Sequence, residues 1–139
     1  MAVIVEKRAL TDGVFSLTFA DGAIAENAAP GQFVHIRCGH SRILRRPFGV
    51  CDVNGERVTV VFAARGGGTD WLAGREPGQT LDVLGALGRG FTFAANSRVV
   101  LVGGGIGAAP LLYAAKAVRA AAVLGFKSER DMILRAEFE

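Results

Sequence analysis

Apolar and polar residues alternate in short runs through the first half of the chain, and each run ends at a turn signal. In Val14-Phe15-Ser16-Leu17-Thr18-Phe19 both rings and Leu17 fall on one face, the pattern of a half-buried strand. Residues 3–10 precede it across Thr11-Asp12-Gly13, so the two runs predict a hairpin. Asp21-Gly22 opens a loop expected to last until Pro30-Gly31. Gln32-Phe33-Val34-His35-Ile36-Arg37-Cys38 predicts a third strand, and Arg45-Arg46-Pro47 opens a fourth. Asn54-Gly55 is a tight-turn dipeptide leading into a strand at 57–64, and Pro77-Gly78 leads into one at 79–84. Short strands at regular spacing predict a mainly β fold, a six-stranded antiparallel Greek-key barrel.

The texture changes after Asn96. Arg98-Val99-Val100-Leu101-Val102 is a continuous apolar strand of the kind a parallel sheet covers on both faces. A glycine cluster follows, then an alanine-rich helix predicted over 108–120 and a second short strand at 123–126. Ser128-Glu129-Arg130-Asp131 reads as a capping box opening a last helix. The boundary is expected at Ala95-Asn96, giving a barrel at 1–96 and an incomplete α/β lobe at 97–139. Nothing between Ala114 and Val123 is a glycine, proline or asparagine that would end the helix. So few elements cannot cover both faces of a parallel sheet, so this lobe is expected to expose apolar surface and to self-associate.

Half of the 139 residues are apolar and mean hydropathy is +0.33, which suits a packed core and argues against disorder. The formal charge is +3, and the arginines gather around 37–46 and 65–75. Two separate clusters point to small anionic ligands and away from a nucleic-acid track. Cys38 and Cys51 lie in apolar runs without C-x-x-C spacing. They are expected as buried thiols in a reducing compartment, with no metal site. No apolar run reaches spanning length, and the N-terminal run reads as a strand, so the expectation is a cytoplasmic protein without membrane attachment. Hydrolytic chemistry finds no support. His35 and His40 have no nucleophile at suggestive spacing, Ser41 and Ser97 have nothing to activate them, and Asp70 and Asp82 make a poor acid–base pair.

Binding chemistry concentrates in the glycine- and arginine-bearing stretches. In Leu44-Arg45-Arg46-Pro47-Phe48-Gly49-Val50 the proline holds Arg46 extended, so Arg46 and Phe48 share a face. A guanidinium fork beside a ring suits a ligand both anionic and aromatic, whereas the plainer alternative is a solvated arginine pair with Phe48 in the core. Arg65-Gly66-Gly67-Gly68-Thr69 lets backbone approach a ligand closely, and Thr69 is placed to cap a short helix whose amides face an anion. Alternatively the loop merely needs positive φ angles. The turn Gly85-Ala86-Leu87-Gly88-Arg89-Gly90-Phe91 is placed to border the same ligand. Gly103-x-Gly105-x-x-Ala108, between strand and helix, fits a dinucleotide fingerprint without the usual carboxylate after the second strand, and fits tight helix–sheet packing equally well.

The succession of these motifs resembles the ferredoxin–NADP reductase superfamily of flavoproteins, and within it the electron transfer subunits of dihydroorotate dehydrogenase B. The likeness rests on Leu44-Arg45-Arg46-Pro47-Phe48, Gly67-Gly68-Thr69-Asp70-Trp71-Leu72, Leu87-Gly88-x-Gly90-Phe91, Leu101-Val102-Gly103-Gly104-Gly105-Ile106-Gly107 and Leu124-Gly125-Phe126-Lys127-Ser128. It implies a flavin-binding barrel followed by a pyridine-nucleotide lobe. By resemblance, Arg46 contacts the FAD pyrophosphate, Pro47, Phe48, Gly49 and Val50 lie along the isoalloxazine, and Gly67, Gly68 and Thr69 take the phosphates. Gly103, Gly104, Gly105 and Gly107 would border NAD(H). The implied chemistry is hydride transfer from NADH to FAD, then single electrons through a 2Fe-2S cluster to the flavin of a catalytic dehydrogenase partner, in pyrimidine biosynthesis.

Three departures accompany the likeness. Gly49 stands where relatives commonly carry serine or threonine, Ala86 and Arg89 replace an expected proline and asparagine, and the cluster ligands of complete relatives are absent from these 139 residues. Two other readings therefore stand beside the first. One is a different NAD(P)H–flavin reductase subunit, of the sulfide or ferredoxin oxidoreductase kind. The other is a non-catalytic barrel that has lost flavin and serves as a binding module.

Overall fold

A computed structural model describes residues 1–39 and 43–139, so His40, Ser41 and Arg42 lie outside the described residues. The alternating runs form strands β1 (Ala2–Thr11), β2 (Val14–Ala20), β3 (Phe33–Ile36), β4 (Arg46–Asn54) and β5 (Arg57–Ala63). The predicted strand at 79–84 is instead two segments, β6 (Thr80–Leu81) and β7 (Val83–Leu87). The sheet runs β6-β1-β2-β5-β4-β3-β7, all antiparallel, with β2 beside β5 in Greek-key order. The break at Asp82 closes the barrel, because β6 pairs with β1 while β7 pairs with β3. Long-range contacts hold that corner. The Asp82 carbonyl accepts from the Arg37 amide at 3.0 Å and from Arg45 Nη1 at 2.9 Å. Inward residues Leu17, Phe19, Val34, Ile36, Val50, Val58 and Val60 are fully buried, which is the half-buried alternation realised.

Two short helices add to this core. The loop expected after Asp21 holds helix α1 (Gly22–Asn27), started by the Asp21 carboxylate accepting from the Ile24 amide at 3.1 Å. Its Ile24 and Ala25 join the barrel core. Helix α2 (Gly67–Ala73) seats a fully buried Leu72 in the same core. Residues 85–91 continue the sheet to its rim: a Cβ on Gly85 would lie 2.6 Å from Val34 Cγ1, and the Phe91 ring lies 2.9 Å from where a Gly31 Cβ would sit, with Gly31 at φ +92.

The second lobe has strand β8 (Val100–Gly104), a 3-10 turn (Gly105–Ala108), helix α3 (Ala109–Val118) and strand β9 (Ala121–Gly125) parallel to β8. Where the sequence offers no helix stop, Arg119 takes the left-handed conformation itself, φ 48. The sheet is covered on one face only. Leu101 is buried, while Val100, Val102 and Val123 are 59%, 74% and 60% exposed. The expected capping box yields a single 3-10 turn (Glu129–Asp131), because the Ser128 hydroxyl donates to the Asp131 carboxylate at 2.7 Å and caps no backbone amide. The last helix, α4 (Arg135–Phe138), starts later, after Ile133 and Leu134 have entered a second core with Cys51, Val61, Ala109 and Leu112.

Candidate functional site

Strand pairing decides which way each residue of the arginine–proline stretch faces. Arg46 lies opposite Ile36 and Phe48 opposite Val34, and both partners are fully buried. Directly opposed residues share a face, so Arg46 and Phe48 do share one, and it is the inside of the barrel. Phe48 therefore turns its ring into the core, edge-on to Phe62 with centroids 5.8 Å apart, and Val50 is fully buried. Of the two readings this stretch allows, the ring follows the plainer one, with Phe48 in the core. Arg46, at the mouth, is exposed.

Its neighbour Arg45 has a different task. Arg45 Nη2 reaches both Asp82 carboxylate oxygens, at 2.8 and 2.7 Å, tying β4 to the corner that closes the barrel. Arg46 makes no ion pair among the described residues. Its stem runs across α2: a Cβ on Gly68 would lie 3.3 Å from Arg46 Nε and 3.5 Å from its Cγ. None of residues 66–68 has a left-handed φ; Gly68 serves close approach, whereas a Cβ on Gly66 would meet nothing within 4 Å. Together Arg46, Arg65, residues 66–68 and Thr69 line a cavity of ≈ 330 Å³ with no carboxylate on its wall. Gly66 holds the cap position of α2, and Thr69 sits inside the helix. The Thr69 hydroxyl accepts from the Arg65 amide and donates to the Gly66 carbonyl, both at 2.9 Å. Its proton is thus committed to shaping the loop.

Beside this cradle, Pro47, Phe48, Gly49, Ile106, Gly107 and Pro110 border a groove of ≈ 280 Å³ between barrel and lobe. Its walls are apolar apart from backbone and the spent Thr69 hydroxyl. Helix α3 is held against the barrel there: Tyr113 Oη donates to the Ala28 carbonyl at 3.0 Å, and Lys116 pairs with Asp52. The four glycines between residues 103 and 107 divide by cause. A Cβ on Gly103 would lie 2.6 Å from Leu111 Cδ1, so that residue permits helix–sheet packing. Gly105 needs φ +54, whereas Gly104 and Gly107 are exposed. Residues 85–91 line neither cradle nor groove. The sequence places Arg65 in the glycine stretch without giving its side chain a role of its own. Its guanidinium type and its place before three glycines were the available signal.

Sequence comparison finds curated relatives. The chain is 37% identical, over 97% of its length, to the dihydroorotate dehydrogenase B (NAD(+)) electron transfer subunit of Geobacillus kaustophilus. It is 37% identical over 98% of its length to that of Caldanaerobacter subterraneus. Among solved structures, an NADH-dependent reduced ferredoxin–NADP oxidoreductase matches the whole chain with TM-score 0.90 at 32% identity. The chain is a sequence relative of these electron transfer subunits over part of their length and has the ferredoxin–NADP reductase fold. It spans 57% and 56% of the two curated relatives and 53% of the oxidoreductase chain. The Plasmodium falciparum ferredoxin–NADP+ reductase shares the superfamily fold, with TM-score 0.83 at 15% identity over 98% of this chain. No family model matches the chain.

Within that fold the Gly49 departure has a structural counterpart. A Cβ there would lie 3.1 Å from the Pro110 Cβ, at the first turn of α3.

Proposed function

We propose that this chain is the flavin-binding part of an electron transfer subunit, passing electrons from NADH through FAD toward a partner dehydrogenase that interconverts dihydroorotate and orotate. The carrying observation is Arg46, without an ion pair among the described residues, laid over Gly68 at a cavity whose described lining has no carboxylate. The residues fit FAD, since a side chain on Gly68 would crowd this cradle and the groove beside it is lined by apolar side chains. Bound FAD supplies hydride acceptance and one-electron release. Arg46 would grip the diphosphate, the backbone of residues 67–69 would lie along it, and Pro47, Phe48 and Gly49 would border the ring, whereas Val50, fully buried in the barrel core, does not reach it. Pro110 and Ile106 exclude water from the groove. The turn at 103–107 borders NAD(H), and residues 1–96 and 97–139 act as flavin barrel and nucleotide lobe. Cys38 and Cys51 lie in separate cores, so the thiols of this chain do not fit a 2Fe-2S cluster and no step is assigned to one. The partner is a catalytic flavoprotein subunit in the cytoplasm, and the open β8–β9 face favours self-association.

A second reading, a reductase subunit serving ferredoxin, draws on the 32% identity to the ferredoxin–NADP oxidoreductase chain. A third, a barrel without flavin, draws on Gly49 and its proline lid. The visible spectrum of the purified protein separates them. Flavin absorption is expected, and Arg46→Ala should weaken FAD binding about ten- to a hundredfold, since a charged contact is worth roughly 1.5–3 kcal/mol. A colourless protein that FAD cannot reconstitute would establish the third reading.

A further inference from the structure

We propose that Arg65 is the second cation of the flavin-diphosphate cradle, so that Arg46 and Arg65 each meet one phosphate. The proposal rests on the FAD reading above and names a residue of that same site. Both arginines line the one ≈ 330 Å³ cavity, Arg46 from the start of β4 and Arg65 from the link between β5 and α2. Neither has an ion-pair partner among the described residues, and the nearest acid in sequence, Asp70, does not line the cavity. Two cations sharing a cavity with no counter-charge repel one another, and a ligand bearing two linked anionic groups relieves that repulsion better than a single phosphate. The backbone root of Arg65 is anchored while its fork is exposed: the amide donates to Thr69 Oγ1, which donates onward to the Gly66 carbonyl. Arg65 also borders an adjoining cleft of ≈ 310 Å³ beside Gly105. That cleft also holds Lys127 with Asp12 and Asp131, so Arg65 would bring it to neutrality, yet Arg65 forms an ion pair with neither carboxylate among the described residues. The cradle, in contrast, has no acid, and the cation is assigned there.

The test is fluorescence titration of the chain and its variants with FAD, FMN and riboflavin. Arg65→Gln should weaken FAD binding roughly tenfold or more while leaving riboflavin binding unchanged, and Arg65→Lys should recover part of the loss. The preference for FAD over FMN should shrink in Arg65→Gln, together with the salt dependence of FAD binding. Full FAD affinity in Arg65→Gln, with affinity lost in Arg46→Gln, would keep the cradle and remove Arg65 from it. Equal losses for FAD and riboflavin would mean a structural role and overturn the proposal. Unchanged FAD binding with weaker NADH binding would place Arg65 in the adjoining cleft instead. A parent chain that takes no FAD would sink the proposal and the reading beneath it together.

Discussion

Gly49 and Pro110 meet where barrel and second lobe touch, and a Cβ on the glycine would stand 3.1 Å from the proline Cβ. That separation is tighter than ordinary van der Waals contact, and the proline ring at the start of α3 has little freedom to yield. The missing hydroxyl at this position is therefore coupled to the way α3 seats on β4. Gly49→Ser should lower stability by about 1–3 kcal/mol through overpacking, read from denaturant midpoints. In a Pro110→Gly background the same substitution should cost clearly less. Equal costs in both backgrounds would show that the two residues do not compete for space.

Adjacent arginines should separate cleanly by assay. Arg45 holds Asp82 across the closing corner, with the two side chains 29% and 41% exposed. Allowing for that exposure, Arg45→Met should cost about 1 kcal/mol of stability and leave the FAD contact residues in place. Arg46→Met should leave the unfolding midpoint nearly unchanged and weaken FAD binding. The reverse pattern would mean that their roles had been exchanged.

Cys51 ties stability to alkaline pH. Burial, and secondarily the charge of Asp52, pushes its thiol from 9.0 up to about 12. The unfolded chain then loses this proton first. The stabilising contribution is intact below pH 9 and declines as pH rises from 9 toward 12, by ~1.4 kcal/mol per pH unit. Cys51→Ala should flatten that part of the decline when urea midpoints are compared at about pH 8 and about pH 10. Parallel declines in parent and variant would show that Cys51 is not the group responsible.

The uncovered side of the β8–β9 sheet should make the chain associate. Val100, Val102 and Val123 form an exposed apolar row on that side. Sedimentation should show mass rising with concentration, and Val102→Lys should suppress the rise without changing the unfolding midpoint. A parent chain that stays monomeric at every concentration would contradict this.

Much of the barrel was legible because alternation with period two survives wherever one face meets a core, as at Leu17, Phe19, Val58 and Val60. Helix α1 was not, being too short for helical periodicity; its single local signal was the capping Asp21. The split of the predicted 79–84 strand also escaped, since the bend at Asp82 is held by Arg37 and Arg45, far away in the chain. The glycines of the lobe were visible as a cluster, but neighbours alone distinguish Gly103, crowded by Leu111, from Gly105, required by its φ.

By itself the sequence determined the strands, their turns and the chemical character of the arginine and glycine stretches, because those follow from local periodicity and residue type. Only the tertiary structure decided that Phe48 faces inward, that Arg45 is spent on a carboxylate while Arg46 makes no ion pair among the described residues, and that Arg65 lines the same cavity as Arg46. Each of those outcomes depends on which distant residue barrel closure brings alongside, and no local pattern encodes that.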